Sequence, residues 1–112
     1  MLLEWAWCRK NPDEAIRLLR LAVKQGNADA QKELGLCYAL GNGVTKNYHK
    51  AVKLLELAAD QGLASAQYNL GVAYYQGDGV TQNTKKAIEL FRLAADQGDE
   101  SAIKVLEELG EK

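Results

Sequence analysis

The chain has 112 residues, of which 47% are hydrophobic and 26% charged, and 14 Lys and Arg against 15 Asp and Glu leave a net charge of −1. That length and balance describe one folded globular domain able to bury a core, not a disordered segment. The basic residues make no stripe that would neutralise a phosphate backbone, and the longest apolar run is far shorter than the roughly 20 residues that cross a bilayer. Neither nucleic acid nor a membrane is expected as a partner.

The opening "MLLEWAWCRK" carries Glu4 inside its apolar stretch, has no basic residue ahead of it and lacks a small-residue cleavage site. It fails as a signal peptide, so the chain as written is expected in the cytoplasm, with export only if a segment precedes it. Trp5 and Trp7 are expected to cover the first apolar face of the fold, and the same pair also suits self-association, which makes a monomer or a weak homodimer the expected state. Cys8 has neither CxxC spacing nor a neighbouring His, and Cys37 lies 29 residues on, so both read as small buried hydrophobes and not as metal ligands.

In "NPDEA", Asn11 stands where a helix needs an N-cap, Pro12 at the first helical position and Glu14 where a capping box wants it. Leu18, Leu19 and Ala22 then recur at helical spacing up to Gly26, which ends the helix because a C-terminal residue in the left-handed conformation favours glycine. A second helix is expected from about Ala28 to Ala39, with Ala30, Leu34 and Tyr38 on one face. Gly35 within it costs about 1 kcal/mol relative to alanine, and close approach of a neighbouring helix is the simplest reason to keep it.

Next comes "GNGVTKN", from Gly41 to Asn47, which returns thirty-six residues later as "GDGVTQN", from Gly77 to Asn83. A phosphate loop would need a strand before it and a GxxxxGK[ST] pattern, and a calcium loop would need closely spaced carboxylates where only Asp78 is present. The capping reading fits instead. Gly41 and Gly77 take a left-handed C-cap, Gly43 and Gly79 allow a tight reversal, Val44 and Val80 plug the core, and Asn47 and Asn83 cap the next helix.

The loop belongs to a longer period. Ala15 to Lys50 aligns without a gap on Ala51 to Lys86, with about half the positions identical, so Leu54, Leu55 and Ala58 and then Leu90, Phe91 and Ala94 repeat the first stripe. A period of this length is that of a stacked solenoid. The expected architecture is all-α, with residues 1–14 as a clipped first unit, 15–50 and 51–86 as full repeats, and 87–112 as a final helix pair and C-terminal cap. Glu107 and Glu108 fall where Gly71 and Val72 stand one unit earlier, placing charge where a further repeat would dock.

The pattern "A..LG..Y..G.GV..N..KA..L...AA.QG" resembles the Sel-one-like repeat family within the tetratricopeptide-like superfamily. The resemblance runs from Ala15 to Lys86 and on into the last helix. It implies antiparallel helix pairs in a short right-handed α-α solenoid whose inner surface, lined by the first helix of each pair, binds a protein or peptide. The family commonly has Asp where Asn47 and Asn83 stand, and either side chain supplies the capping oxygen. Some exported relatives carry a cysteine pair within each repeat, a spacing that Cys8 and Cys37 do not reproduce.

Helical spacing then assigns the partner face. Lys32, Leu36, Tyr68, Val72, Tyr75 and Lys104 lie off the Ala, Leu, Tyr stripe, and Lys32, Tyr68 and Lys104 hold equivalent positions as a basic, aromatic, basic row. Such a row suits an extended peptide with acidic groups flanking an apolar or proline contact. The carboxylate clamp of some tetratricopeptide proteins is not reproduced by Asn69 and the two lysines. His49, the single histidine, is expected at an exposed helix start with no serine or cysteine at matching depth, so no catalytic residue, cofactor or metal is assigned and the chain is expected not to be an enzyme.

Overall fold

The computed structural model describes residues 12–111, and within them six helices and no strand. These are α1 (Pro12–Lys24), α2 (Ala28–Leu40), α3 (Tyr48–Asp60), α4 (Ala64–Gln76), α5 (Thr84–Asp96) and α6 (Glu100–Glu108). Each packs mainly on its neighbours in the chain, the arrangement of a solenoid in which contacts are local. The Asn11 cap and the Trp5, Trp7 and Cys8 assignments lie outside the described residues.

The expected punctuation is present. Gly41 and Gly77 are left-handed at φ 70° and 75°, and their N–H groups reach Cys37 O and Ala73 O. Asn47 and Asn83 are extended N-caps whose side-chain oxygens accept from Lys50 N at 3.1 Å and Lys86 N at 3.0 Å. Asn27 and Asp99 cap α2 and α6 in the same way, whereas Leu63 at the start of α4 makes no side-chain cap and packs on the core instead. Val44 and Val80 pack against the clusters next to their loops.

Glycine inside α2 and α4 marks where helices meet. A Cβ at Gly35 would lie 3.2 Å from the Ala51 carbonyl oxygen and 3.3 Å from Leu55, so α3 approaches α2 at a position that presents no side chain. At Gly71 the fit is tighter, with Phe91 2.7 Å from the position a Cβ would take. Phe91 stands where the previous repeat has Leu55, and it is the largest fully buried side chain among the described residues, on a cluster with Ala87 and Leu106. The second loop glycine does more than turn the chain. At Gly79, φ is +78° and a Cβ would come 2.5 Å from the backbone oxygen of Tyr48, so this loop rests directly on the first turn of α3.

Leu18 departs from its predicted place on the buried stripe and is 42% exposed. Its counterpart Leu54 packs beside Leu34, under Gly35 of α2, and no described residue stands in that relation to Leu18.

A second set of contacts ties repeat to repeat and was not anticipated from the sequence. Gln61 Nε2 donates to Gly26 O at 2.9 Å and to Gln31 Oε1 at 2.8 Å, and one unit later Gln97 Nε2 donates to Gly62 O at 2.9 Å and Gln67 Oε1 at 3.0 Å. Gln31 and Gln67 are buried, so each acceptor depends on the glutamine of the following repeat. Gln61→Ala removes the donor and leaves a buried amide oxygen unsatisfied, with an expected cost of about 1–3 kcal/mol. Urea unfolding of the single variant against Gln61→Ala/Gln31→Leu checks this, because the double change leaves no orphaned oxygen and recovers part of the loss.

Candidate functional site

The residues assigned from helical spacing lie on α2, α4 and α6. Along α2, Ala30, Gln31, Leu34, Gly35 and Cys37 are buried, and along α4 the same register holds Ala66, Gln67, Leu70, Gly71 and Ala73. These residues fix two sides of each helix against its neighbours. The remaining side carries the six assigned residues, and the structure exposes them unequally.

Lys32, Leu36, Tyr68 and Val72 are half-buried, while Tyr75 and Lys104 are exposed. The Lys32 ammonium sits 3.3 Å from the Glu33 carboxylate, so its charge already has a counterion. Tyr68 places its ring 5.7 Å from Phe91, centroid to centroid, at an interplanar angle of 41°, and Val72 joins the same cluster. Both therefore share their surface between packing and solvent. The open end of the face is apolar: Leu40, at the end of α2, is 65% exposed and Tyr75, near the end of α4, is 39% exposed.

Polar groups beside this face are largely committed. Asn69 Nδ2 donates to Ser65 O at 2.8 Å within its own helix, so its amide is not offered outward. Tyr38 and Tyr74 lie under Lys50 and Lys86, with the ammonium groups 5.4 and 5.2 Å from the ring centroids, repeating one cation–π contact in successive units. On α1 the hydrogen bond from Arg17 holds the Glu14 carboxyl below the usual carboxylate range, and both groups lie at the surface. A hollow of about 470 Å³ lies on α1 and Gly43, lined by Asp13, Ile16, Arg17, Arg20, Leu21 and Lys24, away from the assigned face.

His49 is exposed at the start of α3 and Cys37 is buried with Ile16 and Leu34. Among the described residues no group of three His, Cys, Asp or Glu side chains is gathered as metal ligands would be. No described helix is long and apolar enough to cross a membrane.

The family model of the Sel1 repeat matches residues 6–27, 28–63 and 64–99, dividing the chain just before α2 and α4. The chain belongs to the Sel1 repeat family. Solved structures similar to it share the fold of this Sel1 repeat chain. A protective antigen of uropathogenic Escherichia coli strains displaying an SLR fold is 42% identical with a TM-score of 0.79, over 80% of this chain and 19% of the antigen. A Sel1 repeat protein from Oxalobacter formigenes is 36% identical with a TM-score of 0.81, over 89% of this chain and 41% of that protein. Cysteine-rich protein B of Helicobacter pylori is 28% identical with a TM-score of 0.80, over 86% of this chain and 72% of that one. The chain thus spans about a fifth and two-fifths of the first two. Among curated proteins none matches. Sel1 repeat proteins are generally protein-interaction scaffolds and typically noncatalytic.

Proposed function

We propose that this Sel1 repeat chain is a noncatalytic adaptor that binds an extended protein segment along α2, α4 and α6. The observation that carries the reading is the exposed Leu40 and Tyr75 at one end of that face, with the exposed cation of Lys104 on the last helix. A rigid scaffold of stacked helices spends little ordering entropy when it binds, so a few exposed side chains suffice for useful affinity. The partner chemistry that fits is an apolar or proline contact against Tyr75 and Leu40, with an acidic residue toward Lys104.

Fluorescence polarisation with labelled peptides of that pattern tests the proposal. Tyr75→Ala and Lys104→Glu are each expected to weaken binding about 10-fold, the equivalent of about 1.4 kcal/mol, with unchanged thermal melts. Tyr68→Ala is a less clean probe, because losing its ring contact with Phe91 also lowers stability by about 0.5–1.5 kcal/mol. Undiminished affinity in the Tyr75 variant would place the partner elsewhere.

A further inference from the structure

Three leucines stand exposed in register on the helices that the partner face does not use. Leu21 on α1, Leu57 on α3 and Leu93 on α5 are separated by one repeat each and are 48%, 50% and 52% exposed. Leu57 and Leu93 are the only aliphatic side chains among the exposed positions of their helices, whose other exposed residues are polar, charged or, at Tyr48, aromatic. Each lies on the side of its helix turned away from the core, because Ala51, Leu55 and Ala58, or Ala87, Phe91 and Ala94, occupy the opposite side.

These positions make a row. Gln61 and Gln97, each four residues after an exposed leucine, hydrogen-bond the carbonyls of Gly26 and Gly62, holding the C-terminal ends of α1, α3 and α5 side by side. Exposure of one leucine is ordinary, but the same apolar position left uncovered on alternate helices of three successive repeats is a patterned surface.

The charges beside the row identify what covers it. Three residues after and four residues before each leucine lie next to it on one flank of the helix. Those positions hold Arg17 and Lys24 beside Leu21, Lys53 and Asp60 beside Leu57, and Glu89 and Asp96 beside Leu93, all exposed. The flank therefore runs from Lys24 and Arg17, the latter already paired with Glu14, through the balanced Lys53 and Asp60, to the two negative charges of Glu89 and Asp96. A surface with that gradient is complementary to itself. A two-fold axis lying along α3 sets α1 of one molecule against α5 of the other, bringing Arg17 toward Glu89 and Lys24 toward Asp96. At the centre Leu57 meets its own copy, with Lys53 and Asp60 at the edge facing theirs, so the attraction comes from the two outer helices.

We propose that a second copy of this chain docks on the Leu21, Leu57, Leu93 row to form an isologous dimer. The dimer leaves α2, α4 and α6 outward, so two partner faces are presented at once and a partner with two copies of the recognised segment gains avidity.

Sedimentation equilibrium of the full chain across a concentration series tests this. The wild type is expected to dimerise, and Leu57→Gln alone, a surface change that leaves the melt intact, is expected to weaken dimerisation at least 10-fold. Arg17→Glu/Lys24→Glu and Glu89→Lys/Asp96→Lys are each expected to impair self-association, and mixing the two variants is expected to restore dimers of mixed composition. A wild-type chain that stays monomeric up to about 1 mM, the weak end of specific association, overturns the proposal. So does a dimer indifferent to Leu57→Gln and abolished by Trp5→Ser/Trp7→Ser, or variants that fail to pair when mixed.

Discussion

Phe91→Ala is expected to destabilise the fold by about 3–5 kcal/mol, the range for removing a large buried aromatic ring. The ring is 2% exposed and fills the space between α4, α5 and α6, so the surrounding helices cannot close the hole without moving together. Against the roughly 5–15 kcal/mol that holds a domain of this size together, the loss is large. Because the contacts of a solenoid are local, it falls mainly on the last two helices. Helical circular dichroism during urea titration should resolve an early loss from α5 and α6 in this variant, while α1 to α4 unfold later.

The glycine facing that ring gives the result a second readout. Gly71→Ala forces a methyl to within 2.7 Å of Phe91, whereas Gly35→Ala meets Leu55 at 3.3 Å. Helix propensity favours both changes by about 1 kcal/mol, so Gly35→Ala is expected to be close to neutral and Gly71→Ala destabilising by about 1–2 kcal/mol net. Phe91→Leu, which installs the residue of the previous repeat, should make Gly71→Ala tolerable. A double-mutant cycle that gave simple additivity would contradict the packing described.

Gly79→Ala has the other large expected effect, about 2–5 kcal/mol. Two costs combine: an L residue at φ +78° is disfavoured by about 1–2 kcal/mol, and its methyl would press on the Tyr48 backbone at 2.5 Å, where no side chain can rotate away. Gly98→Ala separates the two. It sits at φ +89° with nothing within 4 Å of the added methyl, so it should show the conformational cost alone. Equal destabilisation by the two variants would mean that the loop does not rest on α3 as described.

Most of the fold was legible because its determinants are local and repeated. Gly41 and Gly77 declare the ends of their helices, Asn47 and Asn83 the starts of the next, and the thirty-six-residue period places them in register. What escaped was non-local. Gly79 was expected to turn the chain, which it does, but its contact with Tyr48 joins residues far apart in sequence. The glutamine pair occurs at two successive junctions, and residue type alone gives no sign that Gln61 and Gln31 meet, since glutamine is as common on open helix faces as in such bonds.

The assigned partner face shows the same limit. Helical spacing put Lys32, Tyr68 and Lys104 in one row, and spacing does not register which neighbours each side chain engages. Lys32 is engaged by Glu33 and Tyr68 by Phe91, which leaves Tyr75 and Lys104 as the more open positions. The exposed leucines were hidden for a related reason. Leu57 lies two residues from the buried Leu55 in a leucine-rich segment, and only the packed structure separates the leucine that faces the core from the one that faces water.

The most direct test of the interaction reading is an amide chemical-shift titration of the isotope-labelled full chain with a peptide carrying an apolar or proline residue flanked by acidic ones. The account predicts shifts concentrated on α2, α4 and α6, strongest around Leu40, Tyr75 and Lys104, saturating with peptide and lost in Tyr75→Ala. Shifts confined to α1, α3 and α5, or a spectrum that peptides of this chemistry leave unchanged, would contradict it.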